Sequence, residues 1–179
     1  VQIGDIIHGD TILDIRGMDV DISADGTTLS IVDLDLFSGY ERSEVSIYRY
    51  NSDSSAWIIM GDAISEESES NSSSYETSLS ADGSIVAIGN GTHDLDISDT
   101  IVATEDAAAS GNFQAGDTLV TDNISNAGWV RVFKYSDSTN SWDQMGQSIV
   151  GSREDIFGGG LSISADGTIL AASAYKGYG

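Results

Sequence analysis

The chain contains neither cysteine nor proline. The absence of cysteine excludes disulfide bonds, thiolate metal ligands and a thiol nucleophile. Average proline usage near 5% would give about nine residues in a chain of this length, and nothing in the sequence accounts for their absence. No run of about 18 apolar residues is present, so the sequence predicts no membrane-spanning helix.

Basic residues are also scarce: Lys and Arg number 7 against 29 Asp and Glu, and the formal net charge is -22. This charge repels phosphate backbones and anionic lipid headgroups, so we expect neither a nucleic-acid partner nor membrane insertion. Apolar residues make up 40% of the chain and alternate regularly. A disordered acidic chain would lack this content, so the sequence predicts a folded protein with an acidic surface.

One phrase occurs three times. It reads ISADGTTLSIVD at 22–33, LSADGSIVAIGN at 79–90 and ISADGTILAASA at 163–174. A second fixed point, the sequence around Trp57, recurs around Trp142, and the intervals between fixed points are nearly constant. Because chance does not hold several intervals in register, the fold is predicted to be an array of one supersecondary unit.

The second unit is longer than the first, because it carries an insertion at about 91–127. Loops on a rigid scaffold commonly carry binding, so this segment is the favoured contact element. Its apolar side chains exceed what a solvated linker requires. Some of them are therefore expected to be buried against the scaffold or against a partner.

Each unit reads as four short strands separated by turn signals. In the first unit, Met18–Ser23 and Thr27–Val32 flank an Asp-Gly turn and predict a hairpin. A third strand is predicted to end at Tyr50, and a fourth to run from near Trp57 to near Ile64. No segment shows helical periodicity.

Repeated four-stranded antiparallel units are typical of β-propeller blades, which bury both faces against their neighbours. We therefore predict an all-β fold, a β-propeller segment of four-stranded antiparallel blades with two complete blades and two partial ones. The residues expected to pack between blades are Trp57, Trp142, Tyr50 and Tyr135. The predicted parts are the outer strand of a preceding blade at 1–11, a blade at 12–68, a blade with the insertion at 69–153, and the first half of a further blade at 154–179.

Two complete blades cannot close a ring. The chain also opens at Val1 rather than at a methionine. We therefore expect a processed or excised segment of a longer propeller, whose remaining blades would be its partners.

Two short motifs accompany the repeated phrase. Phe157-Gly158 precedes it in the third unit, and Ala172-Ser173-Ala174 ends it, while Ala87-Ile88-Gly89-Asn90 takes the latter place in the second unit. In this arrangement the chain resembles the FG-GAP repeats of integrin alpha-subunit propellers and of large surface proteins of marine microbes. The resemblance covers nearly the whole chain outside the insertion. It implies a propeller that belongs to an extracellular or cell-surface protein. The propeller fold alone does not determine the function of such a protein.

The resemblance also implies a Ca²⁺ loop of the form D-x-D-x-D-G-x-x-D between the first two strands, since carboxylates at alternate turn positions can share one hard cation. The first unit offers Asp21 and Asp25 but has Leu29 at the last ligand position, and the other units offer fewer carboxylates. We therefore interpret the Ser-Ala-Asp-Gly loops as structural turns. The alternative is a Ca²⁺ site at Asp19, Asp21 and Asp25.

Three further sets of residues lie in predicted loops. The acidic cluster of the first unit is interpreted as a solvated face and comprises Asp33, Asp35 and Glu41. The candidate binding residues in or beside the insertion are Asp94, Asp96, Asp99, Phe113 and Trp129. Asn-x-Ser/Thr triplets give three candidate glycosylation sites, Asn71, Asn90 and Asn123.

Catalytic patterns are absent from the sequence. His8 and His93 are far apart and show no metal-ligand spacing. The serines include no G-x-S-x-G elbow, and the glycine-rich stretch 157–160 lacks the Lys and the helix of a phosphate loop. Close approach between blades accounts better for these glycines. We expect no enzymatic activity and no required cofactor.

Three functions stay open. The favoured one is a non-catalytic extracellular or cell-surface propeller for adhesion or protein-protein assembly, with protein or glycan ligands at the loop ends. A structural subunit of a surface filament would instead pack acidic blades against copies of themselves, helped by divalent cations or salt. A carbohydrate-binding propeller would need exposed aromatic side chains, and the candidates are Tyr40, Tyr75, Phe113 and Trp129.

Overall fold

The structure, a computed structural model, describes residues 2–9, 14–35, 42–65, 75–94 and 125–176. Within these ranges twelve strands form three sheets of antiparallel strands, and no helix is present. The prediction of an all-β chain built from antiparallel sheets is thereby confirmed.

The first two sheets have the same organisation. Sheet 1 contains β1 (Asp14–Ile22), β2 (Thr28–Asp35), β3 (Arg42–Asn51), β4 (Ala56–Ile59) and β5 (Ile64–Ser65). Sheet 2 contains β6 (Tyr75–Leu79), β7 (Ile85–Asn90), β8 (Trp129–Ser136), β9 (Ser141–Gln144) and β10 (Ile149–Val150). Sheet 3 contains β11 (Phe157–Ile163) and β12 (Leu170–Ala174). In sheets 1 and 2 the first three strands pair in chain order, and both short strands pair with the third.

The three predicted hairpins form in one register, because the same turn closes each of them. The residue before the turn lies opposite the residue after it in the pairs Ile22 and Leu29, Leu79 and Val86, and Ile163 and Leu170. Each turn contains a glycine with φ near +70°, a conformation that other residues rarely adopt. These glycines are Gly26, Gly83 and Gly167.

Two strand predictions need correction. The predicted fourth strand is divided into two short strands, because the chain turns between them at Gly61 in sheet 1 and at Gly146 in sheet 2, with φ of 68° and 73°. Residues 2–9, predicted as the outer strand of a preceding blade, carry no strand. A strand needs a partner in a hydrogen-bonded ladder, and no strand of the described chain pairs with this segment.

The largest core lies between sheets 1 and 2. Side chains alternate between the two faces of a strand, and one face of each sheet contributes to this core. Its fully or almost fully buried members are Val32, Val45, Ile47, Met60, Tyr75, Leu79, Val86, Ile88, Trp129 and Phe133. Burial of this apolar area is the main force that holds the two sheets together.

The opposite face of sheet 2 packs against sheet 3, so sheet 2 lies between the other two. Ala87 and Val130 on this face are fully buried. A Cβ added at Gly158 of β11 would lie 2.9 Å from Cγ2 of Val130 and 3.2 Å from Cα of Gly89. The prediction that close approach of neighbouring sheets explains the glycine-rich stretch is therefore confirmed at Gly158.

Sheets 1 and 3 share an irregularity in their first strands. Pairing shifts register between Arg16 and Asp19 in β1 and between Phe157 and Leu161 in β11. Such a shift marks a β-bulge, which bends the strand locally. The two bulges occupy the same place in the repeated unit, so the bulge is itself a repeated feature.

Candidate functional site

Each Ser-Ala-Asp-Gly turn is held by the same hydrogen bonds. In the first turn, Ser23 Oγ donates to Asp25 Oδ1 at 2.7 Å and accepts from the Thr28 N–H at 2.9 Å. Asp25 Oδ1 also accepts from the N–H of Thr27 at 2.9 Å. The other turns repeat these bonds with Ser80, Asp82, Ser84 and Ile85, and with Ser164, Asp166, Thr168 and Ile169. These loops are structural turns, as predicted.

Neighbouring turns are also bonded to one another. The N–H of Ala24 donates to the carbonyl oxygen of Ala81 at 2.9 Å, and the N–H of Ala81 donates to the carbonyl oxygen of Ala165 at 2.8 Å. The three alanines hold one position in the repeated phrase. We call this line of three bonded turns the turn row, and it lies where the first strand of each sheet ends.

A second contact recurs beside the turn row. Asp21 Oδ2 in sheet 1 accepts from the Leu79 N–H of sheet 2 at 2.7 Å. Ser78, which has the place of Asp21 in the second unit, accepts through Oγ from the Ile163 N–H of sheet 3 at 3.2 Å. At both junctions the same side-chain position thus accepts a hydrogen bond from the same backbone N–H of the next unit. These bonds stabilise the contact between neighbouring sheets.

The three carboxylates of the candidate Ca²⁺ site each accept hydrogen bonds from the protein. Asp19 Oδ2 accepts from the Thr77 N–H of sheet 2 at 2.8 Å, and Asp21 bonds to the same sheet. Asp25 is hydrogen-bonded within its own turn. Across the described residues no three His, Asp or Glu side chains are grouped to hold a metal ion, and Ca²⁺ needs six to eight oxygen ligands.

Hydrogen bonding in the turns changes the acidity of their carboxyl groups. The pKa values of Asp25, Asp82 and Asp166 are lowered, first by the hydroxyl of the serine two residues earlier, which stabilises the ionised form. For Asp166 the pKa falls from 3.8 to about 2. These carboxylates are therefore ionised throughout the neutral range.

Two other carboxyl groups show the opposite effect. Burial raises the pKa of Glu76, and the charge of Asp19 on the neighbouring sheet raises it further. Burial also raises the pKa of Asp33, although Arg16, at 2.9 Å, opposes the shift. Asp33 is 4% exposed, so the predicted solvated acidic face is wrong at this residue. Neither the Glu76–Asp19 pair nor the Asp33–Arg16 pair could be predicted from the sequence, because both depend on how the strands and sheets meet.

Tryptophans link the outer parts of successive units. Trp142 Nε1 of sheet 2 donates to the carbonyl oxygen of Met60 in the first unit at 2.8 Å. Trp57 Nε1 of sheet 1 donates to the carbonyl oxygen of Ile3 at 3.2 Å. Ile3 directly precedes Gly4, just as Met60 directly precedes Gly61. Residues 2–9 therefore contact sheet 1 in the same way as the end of sheet 1 contacts sheet 2.

Tyrosines accompany these tryptophans. Tyr50 and Trp57 have ring centroids 5.4 Å apart at 58°, and Tyr135 and Trp142 have centroids 5.2 Å apart at 52°. The guanidinium of Arg49 in sheet 1 lies 5.5 Å from the ring centroid of Tyr135 in sheet 2. The predicted packing between units is thus confirmed for Trp142 and Tyr135, whereas Trp57 contacts the segment 2–9.

The two ends of the insertion are joined at its base. Asp94 Oδ1 accepts from the Asn126 N–H at 2.7 Å, and the carbonyl oxygen of His93 accepts from the Gly128 N–H at 3.1 Å. Asp94 is thus the candidate binding residue that the structure places at the insertion. Three of the other four candidates, Asp96, Asp99 and Phe113, lie outside the described residues.

Two predicted exposed aromatics are buried instead. Tyr75 is 5% exposed and Trp129 is 3% exposed, and their ring centroids lie 5.6 Å apart in the main core. Trp129 is further covered by Arg131, whose guanidinium carbon lies 4.1 Å from the ring centroid. They cannot act as exposed platforms for a sugar ring. Tyr40, the other loop aromatic, lies outside the described residues, as does Phe113.

A cleft of about 440 Å³ opens between the outer strands of sheets 1 and 2. Its walls include Ile64 from β5 and Trp142 from β9. Arg131 also lines it, but this side chain already donates to Ser148 Oγ at 2.8 Å and stacks on Trp129. Both of these contacts lie within the second unit, on the sheet 2 side of the cleft.

The structure also places one of the candidate glycosylation sites and both histidines. Asn90 is fully buried in β7 and accepts from the Thr92 N–H at 3.2 Å, so the prediction of an exposed loop acceptor for a glycan is wrong there. Asn71 and Asn123 lie outside the described residues. His93 is buried with its ring 6.2 Å from that of Trp129, and His8 is exposed in the segment 2–9.

Comparisons with known proteins add no relative: no family model matches the chain, and neither a curated protein nor a solved structure matches it. In the part of the chain that the structure describes, no helix has the length and apolar character needed to cross a membrane. The geometry of the repeated contacts is therefore the basis on which a function is inferred.

Proposed function

We propose that this chain is a non-catalytic β-propeller segment of an extracellular or cell-surface protein, used for adhesion or protein-protein assembly. The observation that carries the proposal is the recurrence of one set of contacts at both junctions between sheets. The Ala24–Ala81 bond reappears as Ala81–Ala165, and the Asp21–Leu79 bond reappears as Ser78–Ile163. Successive blades of a propeller are related in this way, because each repeats the contacts of the one before.

The proposed contact element is the insertion. Its base is fixed by the Asp94–Asn126 and His93–Gly128 hydrogen bonds next to the buried Trp129. A long loop that leaves a packed sheet at a fixed base can present side chains to a partner while the sheets supply the stability. The net charge of -22 favours partners or surfaces that are basic or that bind through cations.

The proposal can be tested with surfaces coated with the purified chain. We expect cells of the producing organism to attach in greater numbers than to a surface coated with an inert protein of similar negative charge. A variant in which a short Gly-Ser linker replaces residues 95–124 should keep its β-sheet circular dichroism and lose the excess attachment. Attachment no greater than on the control surface would contradict an adhesive role.

A structural subunit of a surface filament is the second candidate. It is favoured by the apolar side chains on the outer faces of sheets 1 and 3, since Val20 is 57% exposed, Ile22 is 54% exposed and Ile169 is 68% exposed. Patches of this kind mark contact surfaces in soluble proteins. Electron microscopy of native material distinguishes the two candidates, because the filament role requires regular assemblies.

A further inference from the structure

The two internal junctions define what one unit offers to the next. At each junction we call the unit that comes first in the chain the leading unit and the next one the following unit. The N–H of the turn alanine in the leading unit donates to the carbonyl oxygen of the turn alanine in the following unit. The leading unit also covers the turn glycine of the following unit with the side chain at the start of its second strand. A Cβ added at Gly83 would collide with Thr28, and one added at Gly167 would collide with Ile85.

The outer face of sheet 3 carries the leading half of this junction without a partner in the described chain. Ile169 has the place of Thr28 and Ile85, and it is 68% exposed. Ala165 is exposed, and no hydrogen bond among the described residues uses its N–H. This face therefore presents a protruding apolar side chain beside a free donor.

The outer face of sheet 1 carries the following half. Nothing lies within 4 Å of a Cβ added at Gly26, whereas the equivalent Gly83 and Gly167 are covered. Ile22 is 54% exposed, while the equivalent Leu79 is 7% exposed under sheet 1.

The hydrogen bonds of this face are also incomplete in comparison with the internal junctions. The Leu79 N–H is bound by Asp21 of the preceding unit, but the Ile22 N–H donates to Asp21 Oδ1 of its own strand at 2.8 Å. The carbonyl oxygen of Ala24 accepts no hydrogen bond from the described residues. This face therefore presents an open hollow at Gly26 beside a free acceptor.

We propose that these two faces bind each other, so that the sheet 3 end of one copy of the chain docks head-to-tail on the sheet 1 end of a second copy. In this arrangement Ile169 of one copy covers Gly26 of the next, and the N–H of Ala165 donates to the carbonyl oxygen of Ala24. The contact continues an interface that the chain already forms twice. It rests on the proposed assembly function and places a second copy where a further blade of a propeller would stand.

The outer parts of the two ends are compatible with this docking. Residues 2–9 cover the outer part of sheet 1 through the Trp57–Ile3 hydrogen bond. Sheet 3 has two described strands, which correspond to the inner pair of sheets 1 and 2. The incoming sheet and the segment 2–9 therefore occupy different parts of the same face.

Head-to-tail contacts use two different surfaces, so copies can add one after another until a ring closes. Each copy carries a net charge of -22, which opposes association at low ionic strength. Raising the salt from about 0.1 M to about 1 M shortens the screening length from about 10 Å to about 3 Å. Salt should therefore promote assembly.

Sedimentation velocity of the purified chain tests the proposal. In 1 M NaCl, at ionic strength where screening is about 3 Å, we expect species at multiples of 18.8 kDa that increase with protein concentration. Ile169→Asp and Ile22→Asp should each be monomeric, because each destroys one face. The matched control is Ile58→Asp, at a residue of β4 that is 50% exposed and outside both faces; it should assemble like the parent chain.

Mixing the two damaged variants gives the sharpest result. Ile169→Asp keeps an intact sheet 1 end and Ile22→Asp keeps an intact sheet 3 end, so an equimolar mixture should form a one-to-one dimer and nothing larger. Native-like circular dichroism of each variant shows that the loss of assembly is not unfolding. A parent chain that stays monomeric, or a mixture that gives no dimer, overturns the proposal; excess cell attachment by such a chain would leave the adhesive function standing.

Discussion

Trp142 of sheet 2 donates its Nε1–H to the carbonyl oxygen of Met60 at the end of sheet 1, at 2.8 Å. Trp57 makes the same bond to Ile3 at 3.2 Å. The two tryptophans are equivalent in the repeated unit, and so are their acceptors. One position of the repeated unit thus links sheet 2 to sheet 1 and sheet 1 to the segment 2–9, and this relationship makes the role of the tryptophan testable.

Trp142→Phe removes this hydrogen bond and keeps most of the ring. We expect it to lower the free energy of unfolding by about 1–2 kcal/mol, since the bond is partly buried. Trp57→Phe should cost less than half as much, because its bond is longer and exposed. Urea denaturation of both variants measures the difference, and equal losses would argue against a hydrogen bond as the cause.

Alanine variants at the side-chain position that binds the next unit should differ in how much stability they lose. Asp21→Ala should cost about 1–2 kcal/mol, since it leaves the Leu79 N–H without its acceptor. Ser78→Ala should cost less, because its bond to Ile163 measures 3.2 Å. Ser162→Ala, at the same position on the exposed outer face of sheet 3, should have no effect at concentrations where the chain is monomeric. A loss at Ser162 as large as at Asp21 would contradict this account.

Glu76 should make stability depend on pH. Its folded pKa lies above the ordinary 4.5 because of burial and the Asp19 charge, so its stabilising contribution is present below the unfolded pKa and is lost as the pH rises through the folded pKa. Glu76→Gln should therefore raise Tm at pH 7 by about 1–3 °C and give no gain at a pH well below 4.5. Asp53→Asn, at an exposed loop residue, is the control. A fall in Tm at pH 7 would refute the proposed repulsion.

The third turn should contain an unusually acidic carboxyl group. The pKa of Asp166 is about 2, and the hydroxyl of Ser164 is the first cause. Because a lowered folded pKa stabilises the fold above the unfolded value, this contribution should disappear as the pH falls from 3.8 towards 2. NMR titration of the Asp166 carboxyl carbon should show the low pKa, and Ser164→Ala should move it upward.

Ser173→Ala is the control for this titration. Ser173 donates to the carbonyl oxygen of Gly160 at 3.2 Å, and it does not contribute to the pKa shift of Asp166. It should leave the titration of Asp166 unchanged. An unshifted pKa in Ser164→Ala would remove the serine hydroxyl as the cause.

The repeated hairpins could be predicted from the sequence because their determinants are local. The Asp-Gly turn sets the register, and apolar residues alternate on both sides of it. The packing of Trp57 and Trp142 followed from their equal spacing in the two units. The same reasoning missed the division of the fourth strand, because a glycine at Gly61 was compatible with either one strand or two.

Residues whose environment depends on neighbouring sheets could not be predicted. Asn90 lies in a turn-like sequence but is fully buried in β7, and Trp129 follows the insertion but is 3% exposed in the core. Asp19 and Asp21 resemble cation ligands in sequence, yet each accepts a backbone N–H of the adjacent sheet. Tertiary packing determines the burial and the hydrogen-bond partners of such residues, because local composition does not specify which face another sheet will cover.

The turn row is the most direct test of the claim that successive sheets are joined by one repeated contact. Scalar couplings across hydrogen bonds, measured by NMR, should connect the Ala24 nitrogen to the Ala81 carbonyl carbon and the Ala81 nitrogen to the Ala165 carbonyl carbon. Both amides should also exchange slowly with solvent. Fast exchange of both amides with neither coupling observed would contradict the account.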